Sequence, residues 1–194
     1  MRSPATSPNA LNKALRRFRR SRHGSAAVEF ALIAPLFFAL LFAIMETAMM
    51  FFATQVLETG TQDTARLMYT NQAQNTGMTQ AAFQQNLCDR VKILFTCDDT
   101  KTSPLVVNVK SYAAGTTIPA ADLATPIAAD VFSGQPAYAV PNPGDTVLIR
   151  TFYQWPLFVT RLGYNIANIG ITGPSPKRLL AASAAFRVEP NGGS

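Results

Sequence analysis

The chain changes character abruptly near its start. Polar and basic positions dominate as far as Gly24, and Phe30–Met45 is then sixteen consecutive residues without a charge. As a helix at ~1.5 Å per residue this run covers roughly 24 Å, short of a ~30 Å hydrocarbon core. Ala26–Val28 before it and Thr47–Ala53 after it supply the missing length. Glu29 and Glu46 then fall near the ends, where an ionisable group reaches headgroups or water. The pattern predicts one transmembrane helix over residues 25–54, with Glu46 at its outer interface. Pro35 lacks an N–H and its ring opposes the carbonyl of Ala31, so a bend or local melting is expected there. Ala27/Ala31 and Ala39/Ala43/Thr47 are small-residue spacings that let another helix approach closely, although alanine is common in any helix.

Past the span, Met49, Phe52, Ala53, Val56, Leu57, Gly60, Thr64, Leu67 and Met68 keep three-to-four spacing, so the helix continues as an amphipathic one to about Asn71. Gly60 weakens its middle by ~1 kcal/mol. A second, short helix is expected from Thr79, its N-cap, to about Phe95, with Phe83, Leu87, Val91 and Leu94 on one face. Alternation predicts strands at Leu105–Tyr112 and Val147–Trp155, and at Leu180–Val188, whose alanines suit a helix equally. Two Pro- and Gly-rich stretches, 113–145 and 160–178, read as irregular surface excursions. The fold class expected is α+β: a long N-terminal helix, a short second helix and a small antiparallel sheet of about three strands.

Composition sharpens this picture. Of the 194 residues 48% are hydrophobic and only 14% charged, which excludes a wholly disordered chain. The net charge of +6 is local: residues 1–24 hold seven Lys and Arg and no acid, whereas the rest holds ten bases and eleven acids. Positive residues stay cytoplasmic, so the tail faces the cytoplasm and the body lies on the other side of the membrane. Three other readings stand beside the anchor: a buried core helix, a secretory signal peptide and a basic nucleic-acid arm. The first conflicts with an apolar run on all sides, the second with the lack of an A-x-A site, and the third with the absence of any folded mass on the tail's side.

Chemistry is sparse. The one histidine, His23, lies in the tail, and the body shows no nucleophile motif, phosphate loop or metal spacing. Asp98-Asp99 reads as a solvated turn. No enzyme activity, cofactor, small-molecule substrate or nucleic-acid partner is expected. Cys88 and Cys97 are nine residues apart on the side where thiols oxidise, and a disulfide is expected over two free thiols. A continuous helix would hold their Cα atoms ~13 Å apart, beyond the ~7 Å limit, so the chain must turn near Thr96.

The join between tail and helix is the most specific string: Arg22-His23-Gly24-Ser25-Ala26-Ala27-Val28-Glu29-Phe30. Cleavage after Gly24 would give Ser25 a new α-amine, and Glu29, four residues on, shares its helical face. Between neighbouring subunits such an amine and carboxylate would neutralise each other and fix an axial offset. Glu29 as a plain interfacial residue of an uncut anchor is the other reading. A glycine, four residues and a glutamate after a polybasic leader resemble the processing site of type IV pilin-like precursors. The fuller text His23–Leu36 is similar to the start of the TadE-like family, pseudopilin-type proteins of the tight-adherence (Tad/Flp) pilus, and Ala184–Pro190 resembles that family's closing strand.

The resemblance implies a leader (1–24) removed by a prepilin peptidase, a transmembrane helix (25–54) and a periplasmic α+β domain (55–194), with Gly24, Ser25, Glu29 and Phe30 as the processing site. Phe30 replaces the tyrosine that the main pilins of this system tend to carry, which points to a minor subunit. The implied partners are the peptidase, other pilin-like subunits, Tad inner-membrane assembly proteins and lipid. The implied location is the bacterial inner membrane, N-terminus inside, with entry into a pilus left open. An uncleaved single-pass scaffold or binding module of a secretion or pilus complex is the alternative.

Overall fold

A computed structural model describes residues 24–97, 104–160 and 164–190. The leader up to His23 and the Asp98-Asp99 pair lie outside the described residues. Helix α1 runs from Ser25 to Tyr69, so the span and the amphipathic stretch are one helix. The chain divides into two units whose boundary in sequence falls inside α1, between Ile44 and Met45. The helix passes through Pro35 without a break. One lost hydrogen bond does not melt a helix flanked on both sides by alanine, leucine and phenylalanine.

In the second unit the buried stripe of α1 is Ala53, Leu57, Gly60, Thr61, Thr64, Ala65 and Met68. Met49 and Phe52, read from spacing as part of that stripe, are exposed instead. After the single turn α2 (Gln72–Asn75) comes α3 (Gln80–Val91), in which the Thr79 hydroxyl accepts the Ala82 N–H as an N-cap. Helix α3 ends at Val91, four residues before the expected end, and the chain turns through Leu94 and Phe95, whose N–H groups both reach Val91 O. A further single turn, α4, covers Ala120–Leu123.

The described sheet is mixed and four-stranded, in the spatial order β4 (Ala137–Tyr138), β1 (Leu105–Tyr112), β5 (Thr146–Pro156) and β6 (Lys177–Arg187). Strands β1, β5 and β6 form the antiparallel part. The expectation of about three antiparallel strands misses β4, which pairs parallel with β1. The 113–145 excursion is long enough to act as the crossover that parallel pairing needs. It also folds a small ribbon of β2 (Ile127–Ala128) and β3 (Val131–Phe132).

Both faces of the sheet are covered. Leu105, Val107, Val109, Val147, Ile149, Tyr153, Leu180 and Ala182 join the helices in the main core. On the other face Phe152, Leu179 and Ile169 pack with Ile127 and Phe132 of the excursions. This back cluster explains why β5 is buried on both sides along most of its length.

Candidate functional site

The processing residues stand at the head of α1. Gly24 directly precedes the helix, and nothing would obstruct a side chain at that position. Glu29 and Phe30 are both exposed. Of the small-residue positions Ala27, Ala31 and Pro35 are exposed, and Ala39 and Ala43 half-buried. Around them Phe30, Leu32, Ile33, Leu36, Phe37 and Leu40 are each more than half exposed. The helix is long and apolar enough to cross a membrane. An apolar surface that encircles a helix calls for lipid or other helices around it.

Glu46 has partners that its position in the sequence did not disclose. Only 8% of it is accessible. Its carboxylate accepts the backbone N–H groups of Phe158 and Val159, the latter at 3.2 Å to Oε2. One residue on, the Thr47 hydroxyl lies 3.3 Å from the Tyr164 phenol oxygen. The signal for its burial was present in the sequence. Stepping back by sevens from the buried Gly60 gives Ala53 and then Glu46, so Glu46 continues the buried stripe of α1.

The same stripe carries two further pins. Midway, the Thr61 hydroxyl donates to Leu57 O at 2.7 Å and lies 3.0 Å from the Thr151 hydroxyl of β5, with both side chains buried. At the far end the Asn71 amide donates to Glu189 O, and the Tyr69 and Phe186 rings meet edge to face. Strands β5 and β6 therefore run along α1, with Pro156 at the Glu46 end and Arg187 at the Tyr69 end.

Cys88 and Cys97 form a disulfide, their Cα atoms 5.9 Å apart. The turn after Val91 brings them together, and the Thr96 N–H is 3.5 Å from the Tyr153 hydroxyl, which ties the loop to β5.

The charged groups with shifted ionisation pin loops. Asp122 accepts from Lys110 Nζ and from the Tyr112 hydroxyl, which holds its carboxyl below the ordinary range. Burial first, and then the bond to Asp122, pushes the Tyr112 phenol up to about 12. Arg150 donates to the carbonyls of Asp122 and Ala124 at 2.6 and 2.8 Å and covers the Phe152 ring. These bonds fasten the 113–145 excursion to β1 and β5. Among the described residues no group of three or more His, Cys, Asp or Glu could hold a metal ion.

No curated protein and no solved structure matches this chain. Residues 24–66, from the glycine that precedes α1 into the buried part of that helix, match the family model described as TadE-like protein, and this stretch of the chain is TadE-like.

Proposed function

We propose that the chain is a minor pseudopilin-like subunit for assembly of a Tad/Flp adhesion pilus, cleaved between Gly24 and Ser25 by a prepilin peptidase. The observation that carries the proposal is where the TadE-like match begins: at Gly24, the residue between the seven-base leader and the first turn of α1. Helix α1 holds the protein in the inner membrane as a single span. The leader faces the cytoplasm, because basic flanks are retained there, and the sheet unit faces the periplasm.

The cleavage chemistry belongs to the peptidase, and this chain is its substrate. The new Ser25 amine and the Glu29 carboxylate lie one helical turn apart. In lipid, each is less costly when paired with its opposite on a neighbouring subunit. The chain's role is assembly rather than catalysis, with pilin-like subunits and Tad inner-membrane proteins as partners.

The test is to express the chain with and without a prepilin peptidase and to read its N-terminus by mass spectrometry. The expected mature end is Ser25, lost in Glu29→Ala and when Gly24 is replaced. An intact leader in the presence of the active peptidase refutes cleavage and leaves the uncut scaffold.

A further inference from the structure

The segment after β5 is tied to α1 at consecutive helix positions. Glu46 accepts the Phe158 and Val159 N–H groups, and Thr47 meets Tyr164. Val159 is buried by this tether, whereas Phe158 is left 78% exposed. A phenylalanine kept in water forgoes the gain of burying its ring, so a ring fixed outward in this way favours an apolar surrounding.

Its level along α1 identifies that surrounding. Glu46 directly follows the sixteen-residue uncharged run, and the exposed Met49, Phe51 and Phe52 carry the apolar helix surface beyond it. A span of ~20 residues counted from Phe30 ends within this stretch. Glu46 therefore sits at the boundary of the hydrocarbon, the level at which amphipathic aromatic rings settle. The same end of the sheet carries Lys177 and Arg178, opposite Pro156 and Trp155 in the β5–β6 register. Basic side chains near a membrane surface meet lipid phosphates.

We propose that Leu157–Thr160 and Tyr164 form a membrane foot. Phe158 and Tyr164 enter the headgroup–acyl boundary of the leaflet nearer the sheet, and Lys177 and Arg178 meet its phosphates. The foot rests on the reading that α1 crosses the membrane. It gives Glu46 a purpose: at this depth the carboxylate takes its hydrogen bonds from two fixed backbone amides instead of from water.

The test uses the full chain in vesicles of phosphatidylethanolamine and phosphatidylglycerol. Phe158→Cys is labelled with a nitrobenzoxadiazole dye, which the disulfide-bonded Cys88 and Cys97 do not take up. Emission is expected to shift to the blue, with stronger quenching by spin-labelled lipid near the headgroup than deep in the chain. Ala114→Cys, beyond the end of β1 that pairs with Thr146, carries the same dye and is expected to emit as in water. Phe38→Cys, within the span, is expected to be quenched most by the deep label.

A quenched Phe38 probe beside a water-like Phe158 probe overturns the foot and leaves the span standing. A water-like Phe38 probe overturns both. A blue-shifted Phe158 probe that no lipid label quenches means protein covers the ring, such as a second copy, and also overturns the foot. Glu46→Ala is expected to reduce Phe158 quenching to the Ala114 level, and unchanged quenching would remove Glu46 from the proposal.

Discussion

Replacing Gly60 by alanine sets two known effects against each other. On propensity alone the substitution stabilises a helix interior by about 1 kcal/mol. Packing opposes it. A Cβ built at Gly60 lies 2.5 Å from Cγ1 of Val91 and 3.4 Å from Cδ1 of Leu87, both on α3. Ordinary carbon contacts are ~3.5–4.0 Å, so the overlap with Val91 is about 1 Å. Val91 is fully buried and β-branched, with little freedom to swing aside. Forcing a methyl into such a site typically costs about 1–3 kcal/mol, so the net effect is a destabilisation of about 0–2 kcal/mol.

The control is Val91→Ala, which removes the opposing methyl. In that background Gly60→Ala should become neutral or stabilising, a coupling of about 1–3 kcal/mol in a double-mutant cycle. Urea unfolding of the full chain in detergent, followed by near-ultraviolet circular dichroism, reads each corner. A Gly60→Ala protein more stable than the parent would refute the argument, because the propensity term alone would then suffice.

Three further outcomes follow from the sheet unit. Opening the Cys88–Cys97 bond with a reductant should cost about 2.5–3 kcal/mol by loop-closure entropy, read as a lower urea midpoint; an unchanged midpoint contradicts it. Asp122 is held below its ordinary value by Lys110 and Tyr112, and Asp145 first by the Asn142 N–H, so their contribution is full above the normal carboxylate range. It is lost as pH falls through the lowered values, so pepsin should begin to nick 113–145 only below about pH 4, and at higher pH in Asp122→Asn. Thr61→Val strips the buried Thr151 hydroxyl of a partner and should cost about 1–3 kcal/mol, whereas Thr61→Val with Thr151→Val recovers much of that loss.

The parts of the fold legible in the sequence are those in which local pattern and tertiary burial agree. Leu105, Val107 and Val109 alternate inward along β1, as their spacing implies, and Leu180 and Ala182 do the same in β6. The long helix was legible because its period runs unbroken past the apolar run. Strand β4 was not. It has two residues in a proline-rich stretch, and partners far away in sequence define it: the Tyr138 hydroxyl donates to Met78 O and its ring packs on Phe83. Nor could the burial of Phe152 and Leu179 be read, since the excursion that covers them has no periodicity of its own. At the head of α1 the reading came from chemistry rather than period: a basic leader, a glycine and a glutamate at fixed spacing.

Glu46 shows why a buried acid is hard to place by distance from another acid. Measured from Glu29 it is about 25 Å away and turned by roughly 100°, which suggests an unrelated surface position. Measured from Ala53 and Gly60 it lies on the buried side of α1. A leucine there would bury apolar area at less desolvation cost, so hydrophobicity cannot be the reason for the glutamate. Strand β5 ends at Pro156, and the Phe158 and Val159 N–H groups then have no strand partner. An unpaired buried donor costs about 1–3 kcal/mol, and Glu46 supplies an acceptor for two of them. Leucine would strand both donors, and a lysine would bring only more donors. The carboxylate thus fixes which backbone amides dock on α1, and with them the direction in which Phe158 points.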